Sequence, residues 1–458
     1  MTRNVVILAA GKGTRMKSDT PKVLHEVAGK SMLAHVIDNS RAVDAERTVI
    51  VVGFGADSVI NSLPEDMDTY VVQKEQLGTG HAVVETRGFL AQQDGETMVT
   101  YGDMPLITGD TLKELFAYHE AQDAKATVLT GIATNPHGYG RIIREDGAVT
   151  KIVEEKDATE SEKAVHEVNT GIYVFDNRLL FEALEKLSPA NAQGEYYLTD
   201  VIESFVKAGH RVAAMELANF DESLGVNDRA QLAVAERIMR ARINHTHMLA
   251  GVTLIDPATT YIGTDVTIGA DTVIEGGVTL AGHTTIGKHC HVTTGSRLVD
   301  ATLHTSVIVR ASTLEGAVME ANSDCGPYAH LRPGTILHEK AHVGNFVEVK
   351  NATLGDGTKA GHLTYIGDAT VGKKVNFGAG TITVNYDGEN KYRTEIDDFA
   401  FIGSGSRLIA PVVIGKNALT AAGSTITEDV PEDAMAIGRG RQVNKLGRAK
   451  GKPHYKGQ

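Results

Sequence analysis

Cysteine and long hydrophobic runs are scarce in this sequence. Only two of its 458 residues are cysteines, Cys290 and Cys325, and their spacing fits neither a metal site nor a disulfide framework. The first apolar run, from Val5 to Ala10, is ended by a Gly-Lys-Gly turn and is far shorter than the ~20 residues of a membrane span. These absences exclude a disulfide scaffold, and we expect a cytoplasmic protein with no export signal and no membrane span.

Positive charge is also in short supply. The chain has 45 Lys and Arg against 58 Asp and Glu, a net charge of -13. A general nucleic-acid binder usually has a broad basic face, so we expect no nucleic-acid partner. Anionic ligands must then be held by local clusters of cations. The length exceeds one ordinary domain, and a 42% hydrophobic content is enough for two cores.

A repeat of six residues dominates the second half of the chain. An aliphatic residue stands at every sixth position at Ile262, Ile268, Ile274, Leu280, Ile286, Val292 and Leu298, and again at Ile396, Ile402, Leu408, Ile414 and Ile426. A period of six excludes an amphipathic helix and predicts a parallel β-helix of hexapeptides, three to a coil. Such chains resemble the left-handed β-helix acyltransferases.

Two interruptions of the repeat are expected, around Arg332-Pro333 and from Thr383 to Glu395. The second stretch does not fit hexapeptide spacing and must bulge out of a coil. Insertions in a solenoid usually mark its binding face. We therefore expect a binding site in this part of the β-helix.

The N-terminal strand predicted at Val5 to Ala10 leads into a glycine-rich turn followed by cations. The cations are Lys12, Arg15, Lys17 and Lys22. This pattern indicates a phosphate cradle, the alternative being a plain turn with a solvated charged face. It is not a Walker A loop, because no Gly-Lys-Ser/Thr closes it, and Met16 replaces the third glycine of a dinucleotide fingerprint.

Several motifs resemble those of the sugar-nucleotide pyrophosphorylases. They are Leu8-Ala9-Ala10-Gly11-Lys12-Gly13-Thr14-Arg15-Met16 with Pro21-Lys22-Val23-Leu24, Gln73-Lys74-Glu75-Gln76-Leu77-Gly78-Thr79-Gly80-His81-Ala82, Tyr101-Gly102-Asp103, Gly138-Tyr139-Gly140-Arg141, Val153-Glu154, Val168-Asn169-Thr170-Gly171, Gly194-Glu195-Tyr196-Tyr197 and Gly225-Val226-Asn227. With the repeat, the chain is similar over essentially its whole length to the bacterial family that combines N-acetylglucosamine-1-phosphate uridyltransferase with glucosamine-1-phosphate N-acetyltransferase activity.

The resemblance implies an α/β Rossmann-like nucleotidyltransferase domain followed by a left-handed parallel β-helix. We expect a pyrophosphorylase domain at 1–229, a helical linker at 230–250, the acetyltransferase β-helix at 251–437 and a basic tail at 438–458. Asp228 can cap the linker helix, which would run toward Gly251.

The resemblance also implies the reaction and the assembly. The enzyme would acetylate glucosamine 1-phosphate with acetyl-CoA, then couple N-acetylglucosamine 1-phosphate to UTP. The products would be pyrophosphate and UDP-N-acetylglucosamine, which serves cell-envelope synthesis. We expect these small-molecule substrates, Mg²⁺ as cofactor, acetyl-CoA as co-substrate and a homotrimer.

Uridyl transfer must align two polyanions and neutralise their charge. Asp103 follows the strand predicted at Thr97 to Tyr101, at the edge where open α/β sheets bind ligands. The resemblance implies that Asp103 and Asn227 hold Mg²⁺ and that Arg15 and Lys22 meet the phosphates. It also implies that uracil is recognised by the backbone of Leu8, Ala9, Ala10 and Gly11 together with Gln73, Gly78 and Thr79. Tyr101 would belong to the same substrate site. The sugar would be bound by Gly140, Glu154 and Asn169. From the residues alone, Asp103 is equally well a turn-forming residue, and Asn169 and Asn227 are ordinary loop residues.

Acylation of an amine needs a base, and histidine can exchange a proton near neutral pH. The resemblance identifies that base as His362, whereas a lone histidine is more often structural. It assigns the substrate phosphate to Arg332 and Lys350 and the sugar to Tyr365 and Asn376. The acetyl-CoA positions are Ala379, Asn385, Tyr386, Ser404, Ala422 and Arg439. Ala379, Ser404 and Ala422 are also the small residues that a tight coil requires.

Alternatives remain for the tail and for the whole chain. The tail has seven cations and no acid after Gly438, which is typical of a disordered segment, unless Arg439 and its neighbours meet the phosphates of CoA from an adjacent subunit. Three rival functions are another nucleotide-sugar pyrophosphorylase with a regulatory β-helix, a non-enzymatic translation-factor-like relative, and a structural scaffold. His362 with Asn385-Tyr386 argues against the first, and Arg15, Lys22 and Asp103 argue against the second. The N-terminal motifs argue against the third.

Overall fold

The computed structural model describes residues 2–67 and 69–450. The chain forms two compact units that divide between Arg240 and Ala241, inside the helix Arg229–Leu249. The predicted cap of that helix is confirmed, because Asp228 Oδ1 accepts hydrogen bonds from the backbone N–H groups of Ala230 and Gln231, each at 2.9 Å. The last part of the predicted tail, 451–458, lies outside the described residues. No helix in the described ranges is long and apolar enough to cross a membrane.

The first unit is built from eleven strands and nine helices among its described residues. The strands are β1 (Arg3–Ala9), β2 (Glu26–Val27), β3 (Lys30–Ser31), β4 (Arg47–Val52), β5 (Tyr70–Val72), β6 (Glu96–Tyr101), β7 (Ala126–Ile132), β8 (Arg141–Glu145), β9 (Ala148–Val153), β10 (Glu167–Asp176) and β11 (Val212–Glu216). The helices are α1 (Met32–Ser40), α2 (Ala56–Ile60), α3 (Thr79–Val84), α4 (Arg87–Leu90), α5 (Gly109–Ala121), α6 (Glu160–Lys163), α7 (Asn177–Leu184), α8 (Asp200–Lys207) and α9 (Arg229–Leu249), of which α9 continues into the second unit. Short 3-10 helices lie at Thr14–Met16, Lys22–Leu24, Arg41–Val43 and Phe220–Ser223.

A mixed sheet in the order β11-β7-β10-β6-β1-β4-β5 forms the centre of this unit. Strands β6, β1, β4 and β5 are parallel, β10 is antiparallel to β6 and β7, and the β8-β9 hairpin joins β10. Val6 and Leu8 pack into one hydrophobic core, and Val5 and Ile7 pack into a second core on the other face. This alternation explains why β1 is a continuous apolar run, as expected for a strand covered on both faces.

The second unit is a parallel β-helix of three sheets, as the repeat predicts. The first sheet contains Thr253–Leu254, Val273–Ile274, His291–Val292, Ile308–Val309, Asp324–Cys325, His342–Asn345, Lys359–His362, Asn376–Phe377, Phe401–Ile402, Leu419–Thr420 and Met435–Ala436. The second contains Tyr261–Ile262, Thr279–Ala281, Arg297–Val299, Thr313–Glu315, His330–Leu331, Glu348–Lys350, Tyr365–Gly367, Ile382–Val384, Arg407–Ile409 and Thr425–Ile426. The third contains Thr267–Ile268, Thr285–Ile286, Thr302–Leu303, Val318–Met319, Ile336–Leu337, Thr353–Leu354, Ala369–Val371, Thr394–Ile396 and Val412–Ile414.

The aliphatic ladder of the repeat fills the interior of this β-helix. Ile262 pairs with Leu280 and Leu280 with Leu298, so equivalent positions of successive coils lie eighteen residues apart. The six-residue spacing becomes irregular after Leu298 because some units have only five residues, for example from Leu298 to Leu303 and from Val349 to Leu354. These four residues are all buried in the core. Each short unit shifts the phase of the pattern without breaking the ladder.

Two expected interruptions turn out differently. The one around Arg332-Pro333 is wrong, because Leu331 and Leu337 are both buried core residues at the normal spacing. The other is real but shorter than predicted. Its ends are strands, Ile382–Val384 and Thr394–Ile396, and residues 385–393 between them form the loop, which contains an isolated bridge between Tyr386 and Lys391.

Candidate functional sites

A cavity of about 340 Å³ opens in the first unit at the carboxyl ends of β1 and β6. It is lined by Leu8, Ala9, Ala10, Gly11, Lys22, Val23, Gln73, Gln76, Gly78, Thr79, Ala82, Tyr101, Asp103, Glu195 and Asn227. The cavity thus brings together most of the residues predicted for uridyl transfer, although they come from distant parts of the chain. Gln76 and Glu195 were not predicted as site residues, although both stand in the motifs that carry the resemblance.

Three polar side chains meet at one point in this cavity. The ammonium group of Lys22 contacts Asp103 Oδ2 and lies 3.2 Å from Asn227 Oδ1. Asp103 follows β6, and its backbone oxygen accepts a hydrogen bond at 2.9 Å from the N–H of Val226, which brings Asn227 beside it. Two hard oxygens therefore converge on one cation. This donor set fits Mg²⁺, which typically takes one or two protein oxygens and fills its other positions with water and phosphate.

Gly78 shapes another part of the cavity lining. Its φ of 113° is unfavourable for residues with a side chain, and a Cβ there would lie 2.6 Å from the backbone oxygen of Tyr196. The following residues are held by the same segment, since Gly80 N–H donates to Tyr196 O at 2.8 Å and Leu198 N–H donates to Thr79 Oγ1 at 3.1 Å. This packing explains how Glu195 comes to line the cavity.

Gly140, Glu154 and Asn169 form a second cluster and do not line the cavity. Asn169 N–H donates to Gly140 O at 2.8 Å, and a Cβ on Gly140 would lie 3.5 Å from Glu154 Oε1. Burial raises the pKa of Glu154, although a hydrogen bond from Thr199 opposes this. Burial, with the nearby carboxylates of Glu154 and Asp103, also raises the pKa of Tyr101. Tyr101 thus lines the cavity and is also close to Glu154 of the cluster.

Arg15 is the one predicted uridyl-site residue that the structure places in neither group. It is exposed on the 3-10 helix Thr14–Met16. The sequence motif contains it, but the fold leaves its side chain at the surface.

The candidate base of the β-helix is held by an asparagine of the preceding coil. His362 and Asn345 are paired in the first sheet, and Nδ1 of His362 lies 2.9 Å from Asn345 Oδ1. An amide oxygen accepts, so Nδ1 carries the hydrogen and Nε2 keeps the lone pair that a base needs. The imidazole is exposed. Asn345 was not predicted, and the only signal was its position one coil before His362.

The second sheet places the two predicted phosphate-binding cations in neighbouring coils, Lys350 at the end of the strand Glu348–Lys350 and Arg332 just after the strand His330–Leu331. The backbone N–H of Arg332 donates to Val349 O at 2.8 Å, which puts Arg332 beside Lys350. Its guanidinium is 2.8 Å from Glu348 Oε1, and Glu348 is paired in register with Tyr365. Tyr365 begins its strand three residues after His362, so the cations, the tyrosine and the imidazole lie within three successive coils.

Three of the predicted acetyl-CoA residues, Ala379, Ser404 and Ala422, occupy the same position in successive coils as His362. Ala360 pairs with Phe377, Phe377 with Ile402 and Ile402 with Thr420. Two residues after each of these stand His362, Ala379, Ser404 and Ala422. They therefore form one track at a corner of the β-helix, and its three steps span ~14 Å at the spacing of neighbouring strands. At its end, Arg439 Nη1 donates to Ala422 O at 2.9 Å.

The remaining predicted residues of this unit have more varied roles. Asn376 is partly buried and pairs with Lys359 in the first sheet. Tyr386 is exposed in the inserted loop. Asn385 is buried, and its amide donates to Asp368, which also accepts from Asn351 at 2.6 Å. The side chain of Asn385 therefore anchors the loop.

The buried acid beneath the loop is ionised. Burial alone would raise the pKa of Asp368, but the hydrogen bonds from Asn351 and Asn385 hold it below the usual value. A charged, doubly hydrogen-bonded carboxylate fixes the base of the inserted loop.

Comparisons with known proteins cover both units. Residues 4–222 match the Nucleotidyl transferase family. The chain is 64% identical to Bifunctional protein GlmU of Lactococcus lactis subsp. lactis (strain IL1403), covering 100% of both chains. It is 58% identical to the protein of that name from Streptococcus mutans serotype c, covering 99% of both, and 57% identical to that from Streptococcus agalactiae serotype III (strain NEM316), covering 100% of both. The chain therefore belongs to the GlmU family of bifunctional enzymes, which are both uridyltransferases and acetyltransferases.

Proposed function

We propose that the two activities are carried out by the two sites described above, one in each unit. In the β-helix, glucosamine 1-phosphate receives an acetyl group from acetyl-CoA. In the α/β unit, the resulting N-acetylglucosamine 1-phosphate reacts with UTP to give UDP-N-acetylglucosamine and pyrophosphate, a route that serves cell-envelope synthesis. The observation that carries the first site is the pair His362 and Asn345, in the same run of coils as Arg332 and Lys350. For the second it is the convergence of Lys22, Asp103 and Asn227.

In uridyl transfer, a phosphate oxygen of the sugar attacks the α-phosphorus of UTP. The bond from that phosphorus to the bridging oxygen breaks, and pyrophosphate leaves with the electron pair. Lys22 neutralises charge on the phosphates, and Arg15 reaches them from its surface turn. Mg²⁺, held by Asp103 and Asn227, supplies further positive charge when bound.

The rest of the uridyl site positions the two substrates. The backbone of Leu8, Ala9, Ala10 and Gly11 recognises uracil together with Gln73, Gly78 and Thr79. Tyr101 lines this cavity and is close to Glu154, which with Gly140 and Asn169 holds the sugar. Correct placement of both reactants accounts for much of the rate in phosphoryl transfer, because the protein forms no covalent bond itself.

In acetyl transfer, the amine of glucosamine 1-phosphate attacks the thioester carbon of acetyl-CoA. Nε2 of His362 takes a proton from the nitrogen, and the sulfur leaves with its electron pair. Arg332 and Lys350 bind the sugar phosphate by charge-assisted hydrogen bonds, while Tyr365 and Asn376 orient the ring. The track of Ala379, Ser404 and Ala422 receives the CoA arm, with the loop residues Asn385 and Tyr386 beside it and Arg439 at its far end.

We also propose that the enzyme is a cytoplasmic homotrimer with its CoA groove between two subunits. Exposed apolar side chains next to the base support this. Tyr328, Phe346 and Leu363 are 64%, 56% and 62% exposed, and the first two rings stack with centroids 5.6 Å apart. Leu363 directly follows His362. An apolar surface of this kind beside a catalytic residue is typical of a contact between protein chains.

One reaction mixture tests the proposed function. The protein is incubated with glucosamine 1-phosphate, acetyl-CoA, UTP and Mg²⁺, and UDP-N-acetylglucosamine is measured by chromatography. We expect the product only when all four compounds are present. Added N-acetylglucosamine 1-phosphate should replace glucosamine 1-phosphate and acetyl-CoA. Direct uridylation of glucosamine 1-phosphate at the same rate would contradict the order of the two steps.

A further inference from the structure

Both amide hydrogens of Gln73 are used in hydrogen bonds within the protein. Its Nε2 lies 3.1 Å from the backbone oxygen of Gly78 and 3.0 Å from Nδ1 of His81. The Gly78 carbonyl can only accept, so the nitrogen of the amide and not its oxygen must face it. Gln73 is 3% exposed and lines the cavity. No described residue donates to its Oε1, so the side chain can offer a ligand only an acceptor.

The protonation of His81 decides whether this arrangement is stable. Nε2 of His81 lies 3.4 Å from Oε1 of Glu85, and an ionised carboxylate only accepts. Because the Gly78 carbonyl fixes the nitrogen of the Gln73 amide, Nδ1 of His81 must accept from it, so the hydrogen of a neutral His81 ring is on Nε2, on the side of the Glu85 carboxylate. His81 and Glu85 are four residues apart on α3 and its C-terminal cap, so the helix sets their distance. Glu85, His81 and Gln73 form a relay, here called the Glu85 relay.

The pyrimidine bases differ at the atom that such an acceptor would contact. N3 of uracil carries a hydrogen, whereas N3 of cytosine carries a lone pair. An acceptor opposite N3 makes a hydrogen bond with uracil and repels cytosine. A site that must leave a buried polar group unpaired discriminates strongly against the wrong ligand.

We propose that Glu85 and His81 are positioning residues that make the uridyl site selective for uracil over cytosine by holding the amide oxygen of Gln73 toward the base. This inference rests on the proposed uridyl transfer and goes beyond it, since neither residue lines the cavity. If Nδ1 gains a hydrogen, two donors face each other and the amide leaves its position. Rotating the amide does not restore it, because its oxygen would then face the carbonyl of Gly78.

Substitutions at Glu85 test the relay without touching the cavity. In Glu85→Lys the ammonium group only donates, so the hydrogen of His81 moves to Nδ1. We expect the ratio of kcat/KM for UTP to kcat/KM for CTP to fall about 10- to 100-fold, mainly through the value for UTP. Glu85→Gln keeps an accepting oxygen and should hold the ratio within about twofold. Glu203→Lys is the matched control, with the same charge change in the Glu203–Lys207 pair of α8, where the two groups are 2.9 Å apart.

A second pair of variants tests His81 itself. His81→Leu removes the acceptor and should lower the ratio as Glu85→Lys does. His81→Asn can place an amide oxygen where Nδ1 stands and should recover most of the selectivity. Pyrophosphate release is measured with N-acetylglucosamine 1-phosphate as acceptor. Acetyl transfer by the same preparations reports that the β-helix is intact, and urea denaturation reports that the first unit keeps its fold.

The outcomes separate the relay from the proposed function. If the unaltered protein prefers UTP but Glu85→Lys and His81→Leu keep its selectivity, the relay is wrong and uridyl transfer stands. An equal loss for UTP and CTP also overturns the relay, because it reports a structural role only. If the unaltered protein does not transfer the uridylyl group at all, the proposed function fails and the relay with it.

Discussion

Replacing Gly78 by alanine is expected to impair the uridyl site. Two effects add. The φ of 113° lies where residues with a side chain are strained, which costs about 1–3 kcal/mol. A Cβ would also stand 2.6 Å from Tyr196 O and 3.0 Å from Glu195 Cβ, and the first of these is backbone that cannot rotate away.

The loop around residue 78 must therefore move. Movement weakens the hydrogen bond from Gly80 to Tyr196, which lowers the stability by about 0.5–1.5 kcal/mol. It also displaces the carbonyl of Gly78 from Gln73. We expect the free energy of unfolding of the first unit to fall by about 2–4 kcal/mol and the KM for UTP to rise at least about tenfold.

Urea denaturation and pyrophosphate release measure the two effects. Gly88→Ala is the control, since Gly88 lies in α4 and a Cβ added there would have no neighbour within 4 Å, so alanine should be neutral or stabilising. Acetyl transfer should be unchanged in both variants. A Gly78→Ala protein with unaltered stability and an unaltered KM for UTP would refute this account of the loop.

The remaining predictions concern the base, the metal and the tail. Asn345→Ala should slow acetyl transfer about 3- to 10-fold, because one neutral hydrogen bond to His362 is lost, and it should add nothing in a His362→Ala background; kcat for acetyl transfer checks this. Asp103→Ala, or a chelator of Mg²⁺, should abolish pyrophosphate release while acetyl transfer continues, and metal-dependent acetylation would contradict the assignment. Truncation after Gly438 removes Arg439 and should raise the KM for acetyl-CoA about 10- to 100-fold with no change for UTP. Light scattering should give a trimer for the full-length protein, and a monomer would exclude a shared groove.

The fold was predictable because its two units have different and strong periodic signals. The apolar run of β1 and the ladder from Ile262 both indicate buried strands, and the structure confirms them. The five-residue units were not predictable, since each simply shifts the pattern, and they made Arg332-Pro333 resemble an interruption. When a coil is one residue shorter, its aliphatic residues still point into the core, and only the turn between two strands is shortened.

The sites were predictable from motifs but their contacts were not. Lys22, Asp103 and Asn227 converge because β1, β6 and the segment before α9 end at one edge, which no local pattern reveals. Asn345 escaped prediction because its role depends on the coil stacking that brings it to His362. Arg15 shows the reverse case, a motif residue whose side chain the fold leaves at the surface.

If two independent sites perform the two reactions, loss of the base in the β-helix must leave uridyl transfer intact. The His362→Ala protein is supplied with UTP, Mg²⁺ and either N-acetylglucosamine 1-phosphate or glucosamine 1-phosphate with acetyl-CoA, and formation of UDP-N-acetylglucosamine is followed. We predict the rate of the unaltered protein with the first substrate and a rate lower by about 10²- to 10⁴-fold with the second, the usual effect of losing a general base. An equal loss with both substrates would contradict the account.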